Sequence, residues 1–226
     1  KKGVGRPVGT THQRNGHASA TMATDGQHLL AYFGAKGLFC FTLDGEPLWH
    51  RPYPDAVHEW GAASSPLIAG GLAIQVATGD QRWNTHRISD GCWTSPVVAQ
   101  VDGDWQIVVN GSGSRDGSSG RITGYDLASG QQLWELPGTS DIVCPTAIIG
   151  DGLIFSASGS NGPVLALTTD QQQPAVKWQH SSGGAYVPTG LVYRERLFLI
   201  DDSGIMRCLD PNNGTEIWKE RLGAPV

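Results

Sequence analysis

Five segments of this 226-residue chain end alike: Gly45-Glu-Pro-Leu-Trp49, Gly79-Asp-Gln-Arg-Trp83, Gly130-Gln-Gln-Leu-Trp134, Pro174-Ala-Val-Lys-Trp178 and Gly214-Thr-Glu-Ile-Trp218. Four of the five read G-x-x-x-W, and the tryptophans lie 34, 51, 44 and 40 residues apart. Self-similarity at such a period means that one supersecondary unit is used repeatedly, each copy burying a face on the next.

The unit reads as four short strands. A Ser-Pro or similar opening starts an apolar run at Pro66, Pro96, Pro145 and Pro188. A turn follows, then a second run such as Leu153–Ala157 or Leu197–Ile200, then a third ending in Asp (Ile122–Asp126, Ile205–Asp210). The tryptophan run comes last. Short apolar runs separated by turn residues are antiparallel strands, here a, b, c and d with Trp in strand d. His17–Tyr53 follows the scheme without the Pro, through Ala18–Thr24, Leu29–Phe33, Leu38–Leu43 and Pro47–Arg51. With 31 Gly and 13 Pro, long helices are excluded. The expected fold is all-β, a β-propeller of four-stranded antiparallel blades, with repeats at about 17–53, 58–87, 92–138, 142–181 and 185–223. Residues 1–16 are a leader or the remnant of a preceding blade. The second repeat is short: strand b at Leu72–Val76 runs straight into the turn before Trp83. By the repeat's own period about 13 residues, strand c with its turn, are missing between residues 76 and 77, or the blade has three strands.

The pattern Leu-Asp-x-x-x-Gly-x-x-x-Trp at Leu209–Trp218, and approximately at Tyr125–Trp134, resembles the tryptophan-docking repeat of PQQ-like (quinoprotein-like) β-propellers. The Ala-Ser-Ser-Pro and Thr-Ser-Pro openings resemble BamB-like outer-membrane assembly factors and related bacterial PQQ-like repeat proteins. The resemblance covers about His17–Gly223 and implies a seven- or eight-bladed ring, of which about five blades are represented. It also implies that Trp49, Trp83, Trp134, Trp178 and Trp218 dock between blades, each indole N–H finding a backbone carbonyl.

Composition and motifs exclude several classes of function. A net charge of −5 argues against a nucleic-acid surface, and no apolar run approaches the length of a membrane span. Cys40, Cys92, Cys144 and Cys208 form no CxxC pair, so they read as isolated thiols buried in strands, with the redox compartment left open. The seven histidines show no ligand spacing, so no metal and no cofactor is expected. The adjacent cysteines of quinoprotein dehydrogenases are absent. Asp44, Asp126 and Asp210 sit where a carboxylate accepts bonds from turn N–H groups. Asn110-Gly-Ser112 and Asn213-Gly-Thr215 match the glycosylation sequon, both read as turns.

Loops remain as the carriers of function. In a four-stranded blade the d–a and b–c loops share one face, and here they hold His58, Glu59, Trp60, Trp93 and Tyr186, with Arg115 and Asp116 in a long Gly/Ser-rich b–c loop. Trp, Tyr and Arg are the residue types of interface hot spots. The expected function is a non-catalytic scaffold presenting this face to a protein partner. By resemblance it is periplasmic or outer-membrane-associated, with attachment through a removed lipoprotein signal as one route. The alternatives are a PQQ-dependent or carbohydrate-active enzyme using the aromatics as a platform, or the sensing propeller of a larger membrane or kinase-linked protein.

Overall fold

The computed structural model describes residues 4–6, 9–13, 15–55, 59–69, 81–85, 93–113 and 119–223. It divides into two units, Lys1–Asn84 and Thr85–Val226. The first holds one antiparallel sheet of β1 (Ala23–Thr24), β2 (His28–Tyr32), β3 (Leu38–Thr42) and β4 (Pro47–Arg51). The second holds three: β5 (Val97–Val101), β6 (Asp104–Gly111), β7 (Gly120–Asp126) and β8 (Gln132–Thr139); β9 (Ile148–Gly150), β10 (Leu153–Ala157), β11 (Val164–Thr168) and β12 (Val176–His180); β13 (Leu191–Val192), β14 (Leu197–Ile200), β15 (Ile205–Leu209) and β16 (Glu216–Arg221). Every sheet joins its strands in chain order, and in that order they are the first to fourth described blades, the last three being the third to fifth repeats of the sequence. The chain is all-β, built of four-stranded antiparallel propeller blades. Strand b lies at or within one residue of its expected bounds in β2, β10 and β14, and the Trp lies in strand d of all four sheets. Strand a of the first blade, however, is only Ala23–Thr24 rather than Ala18–Thr24, and the expected strand d at Trp83 does not form. In the short second repeat, Leu72–Val76 and the 76/77 junction lie outside the described residues, and 59–69 and 81–85 form no strand.

One transverse row recurs in all four blades. Register aligns Trp49–Cys40–Leu30–Ala23, Trp134–Gly124–Val108–Val97, Trp178–Ala166–Phe155–Ile148 and Trp218–Cys208–Phe198–Leu191. The residue facing each Trp is small, because an indole lying flat on the sheet leaves no room beneath it. At Gly124 an added Cβ would stand 2.1 Å from the Trp134 ring. This explains two of the thiols: Cys40 and Cys208 are buried in strands as expected, each beneath a Trp. Cys144 instead lies half-buried outside any strand, and Cys92 is outside the described residues.

Each Trp is also aimed by the same irregularity. The c–d register shifts after Cys40, Gly124, Ala166 and Cys208, so that the residue before each Trp is the extra one. Bulges re-aim side chains in this way. The extra residues Leu48, Leu133 and Ile217 are exposed in consequence.

Period-two alternation then splits each blade between two cores. Ile154, Leu165 and Leu167 of the third blade pack with Val108, Ile122 and Trp134 of the second. Their neighbours Phe155, Val164 and Ala166 pack with Leu197, Leu199 and Leu209 of the fourth. A strand buried on both faces loses the polar half of its alternation, hence the continuous apolar runs of β10 and β11. Each large side chain fully buried there contributes about 1.5–3 kcal/mol. In the first unit Leu30, Leu38 and Cys40 are covered by Trp49, Tyr53 and Ile68.

The c–d turns share one acceptor position at the end of strand c. Asp126 Oδ1 accepts from Ser129 N at 2.7 Å and Asp210 Oδ1 from Asn212 N at 2.8 Å, as expected. In the first blade Thr42, not Asp44, holds this position, its Oγ1 accepting from Glu46 N at 3.1 Å, and in the third Thr168 accepts from Ala175 N at 3.1 Å. The shorter first turn moves Asp44 past the strand end.

In the second unit the a–b hairpins close through two residues at positive φ, which suits Asp102-Gly103 and Asp151-Gly152. The fourth blade uses Arg194 and Glu195 at φ 49° and 57° instead. Left-handed backbone costs a branched-off side chain about 1–2 kcal/mol per residue. Replacing the pair by Asn-Gly is therefore expected to stabilise the protein by about 1 kcal/mol, read as a raised denaturation midpoint in urea.

Candidate functional site

Every inter-blade connection in the second unit is tied to the b–c loops of both blades it joins. Between the second and third blades, Gly113 N donates to Ser140 O (3.2 Å), Val143 N to Ser112 Oγ (3.0 Å) and Ser140 N to Ser158 Oγ (3.1 Å). Between the third and fourth, Gly184 N donates to Gly162 O (2.8 Å) and Gly183 N to Asn161 Oδ1 (3.0 Å). Asp202, in the b–c loop of the fourth blade, accepts from Tyr186 N (2.6 Å) and Val187 N (3.2 Å). These bonds satisfy loop backbone that no sheet ladder reaches, and they place the d–a and b–c loops on one face.

Tyr186 and Val187 are what this bracing presents, 37% and 59% exposed. Partial burial pushes the Tyr186 phenol above its ordinary pKa, and the ionisable groups of Cys144, Asp141 and Asp202 nearby push it the same way, so it is a neutral donor and acceptor. In the same loop as Asp202, burial raises the Asp201 carboxyl but is outweighed by bonds from Ser203 and Ile205 and by the Arg207 charge, leaving it below the usual range.

The other expected site residues are distributed rather than gathered. Trp93 is half-buried at the entry to the second blade, next to Thr94, whose Oγ1 donates to Asn110 O at 2.7 Å. Tyr186 enters the fourth blade, so the third lies between the two. Glu59 and Trp60 belong to the first unit, where their carbonyls accept from Thr10 Oγ1 (3.2 Å) and from Asn15 Nδ2 (2.7 Å). The half-buried Trp60 ring meets His12 edge-on at 6.3 Å. His58, Arg115 and Asp116 lie outside the described residues. Among the described residues no group of three or more His, Cys, Asp or Glu is placed to hold a metal ion.

Of the strand-d tryptophans, Trp178 donates Nε1–H to Pro211 O of the fourth blade at 2.8 Å. Trp134 donates instead to a side chain, Gln106 Oε1 of its own blade, at 2.6 Å, and not to a backbone carbonyl. Trp49 and Trp83 are half-buried, and Trp218 is 41% exposed. Asn110 of the first sequon is not in a turn; it is buried in β6, its Nδ2 donating to Pro145 O at 3.0 Å.

The family described as "Outer membrane protein assembly factor BamB" matches residues 4–220, nearly the whole chain. The chain belongs to this family. Two curated relatives carry the same name: one from Yersinia pestis, 23% identical over 92% of this chain and 56% of its own length, and one from Alkalilimnicola ehrlichii, 26% identical over 58% of this chain and 37% of its own. The chain thus spans about half or less of the relatives it matches. Of solved structures, the computationally designed Ika8 protein is similar at TM-score 0.59 and 13% identity, covering 91% of this chain and 62% of that one, a likeness of fold.

Asp202 and Val187 were not singled out from sequence. Asp202 lies in an Asp-Asp-Ser-Gly turn between strands b and c, which marks it as a loop residue. Its bond to the neighbouring d–a loop is a tertiary contact that no local pattern encodes.

Proposed function

We infer that this BamB-family chain is a non-catalytic scaffold of the bacterial cell envelope, which binds a component of outer-membrane protein assembly through its d–a and b–c loop face. The observation that carries this reading is the exposed Tyr186–Val187 pair, whose backbone N–H groups both donate to the Asp202 carboxylate. A pre-ordered aromatic loses little entropy on binding, which is what an interface anchor requires. The names of the relatives support the partner class and an outer-membrane-associated location.

Binding of the purified protein to the periplasmic domain of the outer-membrane β-barrel assembly complex tests it. Tyr186→Ala with Val187→Ser is expected to weaken binding at least about tenfold, with an unchanged melting temperature because both side chains are exposed. Unchanged affinity would remove this face as the binding surface. No binding by the unaltered protein would remove the partner class.

A further inference from the structure

A hydroxyl residue stands at the same place ahead of every described blade. Thr21, Ser95, Thr146 and Thr189 each lie two residues before their strand a, which is β1, β5, β9 and β13 in turn. In the second unit these residues are chained from blade to blade. Ser95 N donates to Thr146 Oγ1 at 3.2 Å, and Thr146 N donates to Thr189 Oγ1 at 3.0 Å. The first unit repeats the bond, Thr21 N donating to Ser65 Oγ at 2.9 Å. Ser65 opens the short second repeat as Ser95 opens the third, each directly before a Pro. A backbone donor and the next repeat's hydroxyl, paired in both units, make this a device of the repeat.

The bonds lie where the d–a loops enter their strands. Trp93 is two residues before Ser95, and Tyr186 and Val187 are three and two before Thr189. Asp202 holds Tyr186 and Val187 from the b–c loop of their own blade. Thr189 ties the same segment to the third blade, and Thr146 carries the tie on to the second. Thr146 is therefore the shared link: its hydroxyl takes the N–H of the blade before, and its own N–H goes to the blade after.

We propose that Thr146 and Thr189 are positioning residues of the binding face, which hold Trp93 and the Tyr186–Val187 pair at one fixed spacing across the third blade, so that a partner contacts both anchors at once. This rests on the docking role inferred above and deepens it, giving the face two anchors instead of one. Two anchors on one frame bind as a bivalent surface, and slack between them lowers the effective concentration of the second.

Amide hydrogen exchange, together with binding to the periplasmic domain of the outer-membrane β-barrel assembly complex, tests this. Thr146→Val and Thr189→Val keep the branched shape and remove the acceptor oxygen. Thr146→Val is expected to speed exchange at the Ser95 amide at least about tenfold, and Thr189→Val at the Thr146 amide. Each is expected to weaken binding about tenfold. Thr146→Ser and Thr189→Ser keep the oxygen and are expected to retain both parent values. The loss on Thr146→Val is expected to vanish in a Trp93→Ala background and persist in a Tyr186→Ala background, with the reverse for Thr189→Val. A role in stability alone would give equal losses in both backgrounds. Unchanged exchange, valine variants that bind like the parent, or equal losses in both backgrounds would each overturn the proposal. If Tyr186→Ala with Val187→Ser weakens binding while the valine variants do not, this inference falls and the docking reading stands. Absence of binding by the unaltered protein would overturn both.

Discussion

Trp134→Ala is expected to lower the unfolding free energy by about 3–5 kcal/mol, the cost of emptying a large aromatic site in a core that cannot collapse around it. The indole is 6% exposed and sits at the junction of the second and third blades, among Val108, Ile122, Ile154 and Leu165. Its removal also strands the Oε1 of Gln106, itself 4% exposed, and an orphaned buried acceptor adds about 1–3 kcal/mol unless water enters. Trp134→Phe keeps most of the ring contacts while losing that bond, so it is expected to fall between the alanine variant and the parent. Trp218→Ala, at the same repeat position but 41% exposed, is expected to cost about 1 kcal/mol, since burial sets the cost rather than residue type. Urea denaturation of the three variants ranks them. Equal losses at Trp134 and Trp218 would show that the tryptophan stabilises its own blade rather than the junction.

That contrast marks how far the sequence is legible. The blade pattern is written in local signals: turn residues, apolar runs and a Trp at fixed distance after a Gly. These place β10, β14 and β4 at their observed bounds. The transverse row is not readable in the same way. Cys40, Gly124, Ala166 and Cys208 occupy one structural position, yet the interval to their tryptophans is not constant (9, 10, 12 and 10 residues), because the c–d turns vary in length and a bulge intervenes. The same variation hid the exchange of Asp44 for Thr42 as turn acceptor. Strand a is least legible: β13 is only Leu191–Val192, its edge pairing being set by where the preceding connection is tied down. For the loop face, aromatic residues such as Tyr186 were visible as candidates, whereas Asp202, which orients it, acts across a junction between blades.

Gly124→Ala is the sharper test of the row, because its expected sign opposes the usual one. In a strand interior, alanine in place of glycine ordinarily stabilises by about 0.5–1 kcal/mol through lost unfolded-state entropy. At Gly124 an ideal Cβ stands 2.1 Å from Trp134 Cε2 and 2.3 Å from Nε1. The indole must then lift off the sheet, and it has nowhere to go without parting from Gln106 Oε1 or crowding the third blade. Overpacking of this kind costs about 1–3 kcal/mol. The two substitutions share one space and are therefore expected to be strongly non-additive. With Trp134 already truncated to Ala, the added methyl meets a void, and Gly124→Ala should turn neutral or stabilising. A double-mutant cycle in urea reads the coupling directly. If Gly124→Ala costs the same in both backgrounds, the glycine serves the backbone of β7 rather than the ring above it, and the small residues facing Trp49, Trp178 and Trp218 lose their common explanation.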